Sequence, residues 1–172
     1  MDVTRNGVPL GTACTRFAIQ ERAVYERLRG RYADIPGLRV LPLAPPASPA
    51  RVGRLRFEDV VLSATDMSDR WQLRVDPMHP ILFDHPVDHA PGMLILEAAR
   101  QAALAATDPL RGVVTGMETV FHRYAELDEP CWIAANRLPG GPGGLRRVTV
   151  TGEQQGRPVF TCTVTLADAS GS

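Results

Sequence analysis

Pro91-Gly92 followed by MLILEAARQAALAAT constrains this chain more than any other segment. A proline in the first turn, then alanine, leucine and glutamate, marks a helix start. From Met93 to Ala106 every residue is apolar or alanine except Glu97, Arg100 and Gln101, and a helix that is hydrophobic nearly all round is a buried one. The three polar residues are spaced i, i+3 and i+4, so they share one face. A buried carboxylate beside a buried guanidinium has to be paired or face a cavity, because an isolated buried charge costs several kcal/mol. An intrahelical ion pair on a wetted face is the plainer alternative.

The rest of the chain is arranged to cover that helix. At 172 residues it is one domain, or one domain with an appendage. Asp59 to Ser63 and Arg70 to Val75 predict a hairpin, and the later runs Val113 to Tyr124, Cys131 to Arg137, Arg146 to Thr151 and Pro158 to Leu166 predict strands separated by glycine-rich turns. One helix among such strands points to an α+β fold with an antiparallel sheet around a long central helix. Upstream, Leu10 to Ile19 carries a strand pattern and Gln20 to Arg31 a helical one, followed by PGLRVLPLAPPASP, which is too proline-rich for regular structure. The expected division is residues 1–35, a proline-rich linker over 36–56, and the main domain over 57–168. A weak internal repeat pairs Gly7-Val8-Pro9-Leu10 with Gly156-Arg157-Pro158-Val159. The first copy therefore reads as the last strand of a preceding sister module.

Composition removes several classes of function. Nineteen basic residues balance nineteen acidic ones, so the basic excess of a general nucleic-acid binder is missing. All the basic residues are arginine, which excludes lysine Schiff-base chemistry and lysine-based phosphate loops. Cys14, Cys131 and Cys162 show no CxxC or metal spacing and read as reduced thiols. No apolar run approaches the ~20 residues of a membrane span, and the first residues lack a signal-peptide core. The expectation is a cytoplasmic protein without membrane attachment.

HPILFDHPVDHAPGMLILEAARQAA, residues 79–103, resembles the hotdog module of the A-factor biosynthesis (AfsA-type) proteins, and FHRYAELDEP, residues 121–130, fits their downstream strand and loop. GVPLGTACTRFAI and AVYERLR resemble the end of a first module and its connector. The resemblance implies a hotdog fold and tandem modules that pair edge to edge, here as a homodimer or with another hotdog module. It also implies synthesis of γ-butyrolactone-type signals, in which a β-ketoacyl group passes from an acyl-carrier-protein thioester to the hydroxyl of dihydroxyacetone phosphate, with no cofactor. A broader likeness to hotdog dehydratases is weakened because neither His85 nor His89 stands at their distance from the helix glutamate. The rivals are a non-catalytic, partner-dependent module and a hotdog thioesterase or dehydratase.

Acyl transfer to a phosphorylated alcohol needs a base, donors for the thioester oxyanion and a cation for the phosphate. Glu97 is the expected base, since desolvation makes a carboxylate a better proton acceptor. Arg100 is expected to hold phosphate or to orient Glu97. The amides at Gly92 and Met93 suit the oxyanion, Gln101 is a candidate for the substrate carbonyl, Arg123 is a second phosphate candidate and His85 a binding residue. His79, His85 and His89 each have a plainer role in shaping the loop through backbone hydrogen bonds. The two Asp-His pairs are a weak metal signal, and no metal site is expected.

Overall fold

The computed structural model describes residues 1–37, 39–109 and 112–169. They form two compact units, Met1–Ala33 and Asp34–Ser172. In the first unit, β1 (Asp2–Arg5) and β2 (Val8–Thr12) pair antiparallel in a two-stranded sheet, and α1 (Arg22–Arg29) follows. The strand expected over Leu10 to Ile19 is thereby corrected: residues 13–20 are irregular and the strands lie earlier. The cause is the Asn6-Gly7 turn, whose positive φ values of 51° and 78° set a tight hairpin. The same pair of left-handed residues recurs at Gln155 and Gly156, with φ of 54° and 69°, in the segment that the internal repeat matches to this one.

The second unit is a hotdog fold. Its six strands are β3 (Leu62–Ala64), β4 (Arg70–Leu73), β5 (Gly112–Phe121), β6 (Trp132–Arg137), β7 (Arg146–Gln154) and β8 (Arg157–Asp168). They lie in the order β3-β4-β6-β7-β8-β5, each neighbour antiparallel to the next. The long helix α2 (Gly92–Thr107) packs on one face of the sheet. Period-two alternation sends Val148 and Val150 of β7 and Cys162, Val164 and Leu166 of β8 into the core, all at 0% exposure. Ala98, Ala99, Ala102 and Ala103 on α2 are also fully buried, and their small side chains let the helix axis lie close to the strands. Gly152 is required within the sheet, because a Cβ there would meet the ring of Phe160 on β8 at 2.3 Å. Gln154 is fully buried; its amide accepts from the Glu126 N–H and donates to the Glu126 and Glu129 carbonyls, pinning the loop after β5.

Residues 39–48 of the proline-rich stretch are irregular, as the prolines dictate, yet they are laid along the second unit instead of spanning open space. Leu41 N–H donates to the Leu127 carbonyl and Ala47 N–H to that of Leu62. Pro49–Val52 forms a short 3-10 turn against α2, with Val52 fully buried. Gly53 ends that turn at φ +65°, where a Cβ would stand 2.7 Å from Leu104 Cδ1. This contact brings the segment across the polar face of α2.

Candidate functional site

Glu97 is 8% exposed and sits between two guanidinium groups. Arg100 Nε donates to Oε2 and its Nη2 to Oε1, each at 2.8 Å. Arg54, delivered by the segment after Gly53, donates Nε to Oε1 at 2.8 Å and places Nη2 2.8 Å from Oε2. Gln101 Nε2 adds a fourth hydrogen bond at 2.6 Å. Burial alone would raise the Glu97 pKa, but the hydrogen bonds of Arg100 and Gln101, the charge of Arg100 and the bond from Arg54 outweigh it and hold the carboxyl below its ordinary value of 4.5. A carboxylate with hydrogen bonds to both oxygens and a lowered pKa is a fixed anion. Gln101 has no exposed surface; its Oε1 accepts from Val61 N–H and its Nε2 also donates to the Asp59 carbonyl. It therefore ties α2 to the approach of β3.

The cluster opens on a cleft of about 500 Å³ bordered by Arg51, Arg54, Leu55, Arg100, Leu104 and Asp108. At the other end of the helix, Pro91 offers no side-chain cap, and the first backbone bond runs from Ile95 N–H to the Pro91 carbonyl. The amides of Gly92 and Met93, both exposed, remain unpaired among the described residues. Immediately before them, His89 Nδ1 stands 2.6 Å from Oδ1 of Asp88, a side chain only 5% exposed. The imidazole is 25% exposed and lies 4.4 Å from the Tyr124 ring, and its Nε2 has no hydrogen bond to a described residue.

The other loop histidines differ. His79 is buried and its Nδ1 accepts the N–H groups of Ile81 and Leu82, so it shapes the loop. His85 pairs with Asp84 at 2.7 Å, but both are more than two-thirds exposed. Arg123 is half-buried on the loop after β5, with a buried Nη1 that has no partner among the described residues. It is absent from the residues bordering the arginine cleft. No metal-binding group of histidine, cysteine or carboxylate residues occurs among the described residues.

The A-factor biosynthesis hotdog domain matches residues 39–168. The chain belongs to the A-factor biosynthesis hotdog family. A Streptomyces virginiae protein named 2-oxo-3-(phosphooxy)propyl 3-oxoalkanoate synthase is 52% identical over 159 residues, covering 92% of this chain and 53% of the relative. A protein of the same name from Streptomyces coelicolor is 52% identical, covering 94% of this chain and 50% of its own length. The chain thus spans about half the length of these family relatives. Among solved structures, a sigma28-regulated virulence protein from Campylobacter jejuni shares the fold, with a TM-score of 0.53, 17% identity, and coverage of 64% of this chain and 83% of that one.

In this A-factor family chain Arg54 falls inside the stretch whose prolines mark it as linker. Only the excess of arginines over Arg51-Val-Gly-Arg54 hinted at it. The Asp84-His85 and Asp88-His89 dipeptides are alike on paper. Burial of Asp88 separates them.

Proposed function

We propose that this chain carries an acyltransferase site of γ-butyrolactone-type signal synthesis, acting in the cytoplasm. It moves a β-ketoacyl group from an acyl-carrier-protein thioester to the hydroxyl of dihydroxyacetone phosphate. The observation that carries this reading is the 52% identity to proteins named for such a product across nearly the whole chain. Each chemical requirement has a candidate group in the chain. The amides of Gly92 and Met93 receive the thioester oxygen as it gains charge, helped by the helix dipole. Glu97 serves as the counter-anion that fixes Arg54 and Arg100, and Gln101 positions it. In place of Glu97, His89 takes the hydroxyl proton on Nε2 while Asp88 holds Nδ1–H. The hydroxyl oxygen then bonds to the acyl carbon, the carbon–sulfur bond breaks, and the departing thiolate receives the proton from Nε2. No step is assigned to His85 or Arg123. The module pairs with a second copy or another hotdog module through a sheet edge.

Mass spectrometry of the chain with β-ketoacyl-carrier protein and dihydroxyacetone phosphate tests the reading. Transfer should appear as the phosphorylated ester, and His89→Ala should lose it by about 10²- to 10⁴-fold, with partial recovery on adding imidazole. Hydrolysis to the free acid as the sole product would replace it with a thioesterase reading.

A further inference from the structure

The guanidinium pair on Glu97 is only half used. Arg54 and Arg100 each spend Nε and Nη2 on the carboxylate, and Nη1 of each has no hydrogen bond to any described residue. Both arginines border the same cleft of about 500 Å³, as does Arg51, whose nearest acid is Asp108 at 3.8 Å. Three guanidinium groups against two carboxylates leave the cleft a net positive charge, without a lysine in the chain. Glu97 and Gln101 are buried behind it and set the two planes in place before any ligand arrives. A rigid fork of unused N–H donors at the mouth of a cleft suits the tetrahedral oxygens of a phosphate.

We propose that the cleft formed by Arg51, Arg54 and Arg100 is a phosphate-binding site. This rests on the acyl-transfer reading only for which molecule brings the phosphate, because both substrates of that reading carry one. Arg100 stands eight residues beyond Gly92, a rise of about 12 Å along the helix, and its side chain leans back toward the helix start to reach Glu97. A phosphorylated three-carbon acceptor and the carrier's phosphopantetheine arm are the two sources of phosphate in that reading, and the titration below separates them.

Calorimetric titration of the full chain separates these sources. Inorganic phosphate, dihydroxyacetone phosphate and 4′-phosphopantetheine are the probes, with dihydroxyacetone and pantetheine as unphosphorylated controls. At least one phosphorylated probe should bind at least about tenfold more tightly than its control, and the tighter pair names the source. Arg54→Gln should weaken that binding about tenfold, while leaving Glu97 paired with Arg100. Arg51→Gln, an exposed change outside the Glu97 network, should weaken it to a lesser degree and guards against a folding defect in the first variant. Equal binding of phosphorylated and unphosphorylated probes, or unchanged affinity in both variants, overturns the site. Acyl transfer by the wild-type chain is measured alongside: phosphate binding without transfer keeps the cleft and removes the reading, whereas transfer without phosphate binding does the reverse.

Discussion

At the scale of single residues, the surroundings of Glu97 are set by Arg54, Arg100 and Gln101. Glu97 accepts four hydrogen bonds and has one further ion-pair contact with Arg54, so its charge works for the fold. Its folded pKa lies below its ordinary value of 4.5; the stability it contributes is therefore present above that value and is lost as pH falls through the folded one. Glu97→Gln should destabilise the protein near neutrality by about 2–3 kcal/mol, since two guanidinium groups lose their shared anion. The penalty should shrink as the medium is acidified, because the wild type then loses the same charge. Melting curves of both proteins from about pH 7 to about pH 3 check this, and parallel curves would contradict it. The thiols provide a second test at this scale. Burial pushes the Cys131 thiol up to about 12 and also raises Cys162, whereas Cys14 is exposed. A thiol reagent should titrate Cys14 alone in the native protein and all three cysteines in denaturant.

At the scale of elements, two glycines mark where backbone and side chain meet most closely. Gly152 of β7 faces the Phe160 ring of β8 directly across the ladder, beside a bulge between Gly152 and Glu153. A methyl group there has no room unless a fully buried ring moves, so Gly152→Ala should cost about 1–3 kcal/mol, read from the denaturant midpoint. Gly53 combines a left-handed backbone with a close approach to Leu104, and it turns the chain so that Arg54 reaches Glu97. Gly53→Ala should lower stability by a comparable amount and also weaken phosphate binding; a loss of stability with intact binding would uncouple the turn from the arginine.

At the scale of the whole second unit, the sheet ends in β3 on one side and β5 on the other. β5 runs for ten residues, its outer edge pairs with no strand among the described residues, and Val113, Val120 and Phe121 along it are exposed. A long edge of that kind invites another strand. We expect the chain to form a homodimer or a higher even oligomer in solution through this edge. Light scattering at micromolar concentration should give at least twice the 18.7 kDa chain mass, and Val120→Lys should shift it toward the monomer. A monomeric mass for the unsubstituted protein would remove this expectation.

The second unit's plan was legible in the sequence because periodicity is local. The apolar run after Pro91-Gly92 required a buried helix, alternation marked β7 and β8, and the loop-and-helix motif carried the family. The antiparallel α+β architecture follows from those short-range patterns. What the sequence alone left open was which polar groups meet. Arg54 lies 43 positions from Glu97 along the chain, and only the path of the proline-rich stretch across α2 brings them together. The two Asp-His dipeptides have the same composition and separate only by depth, with Asp84 in solvent and Asp88 enclosed. Burial and long-range pairing are properties of the packed chain, because a charge takes its strength from the dielectric and the partners that folding places around it.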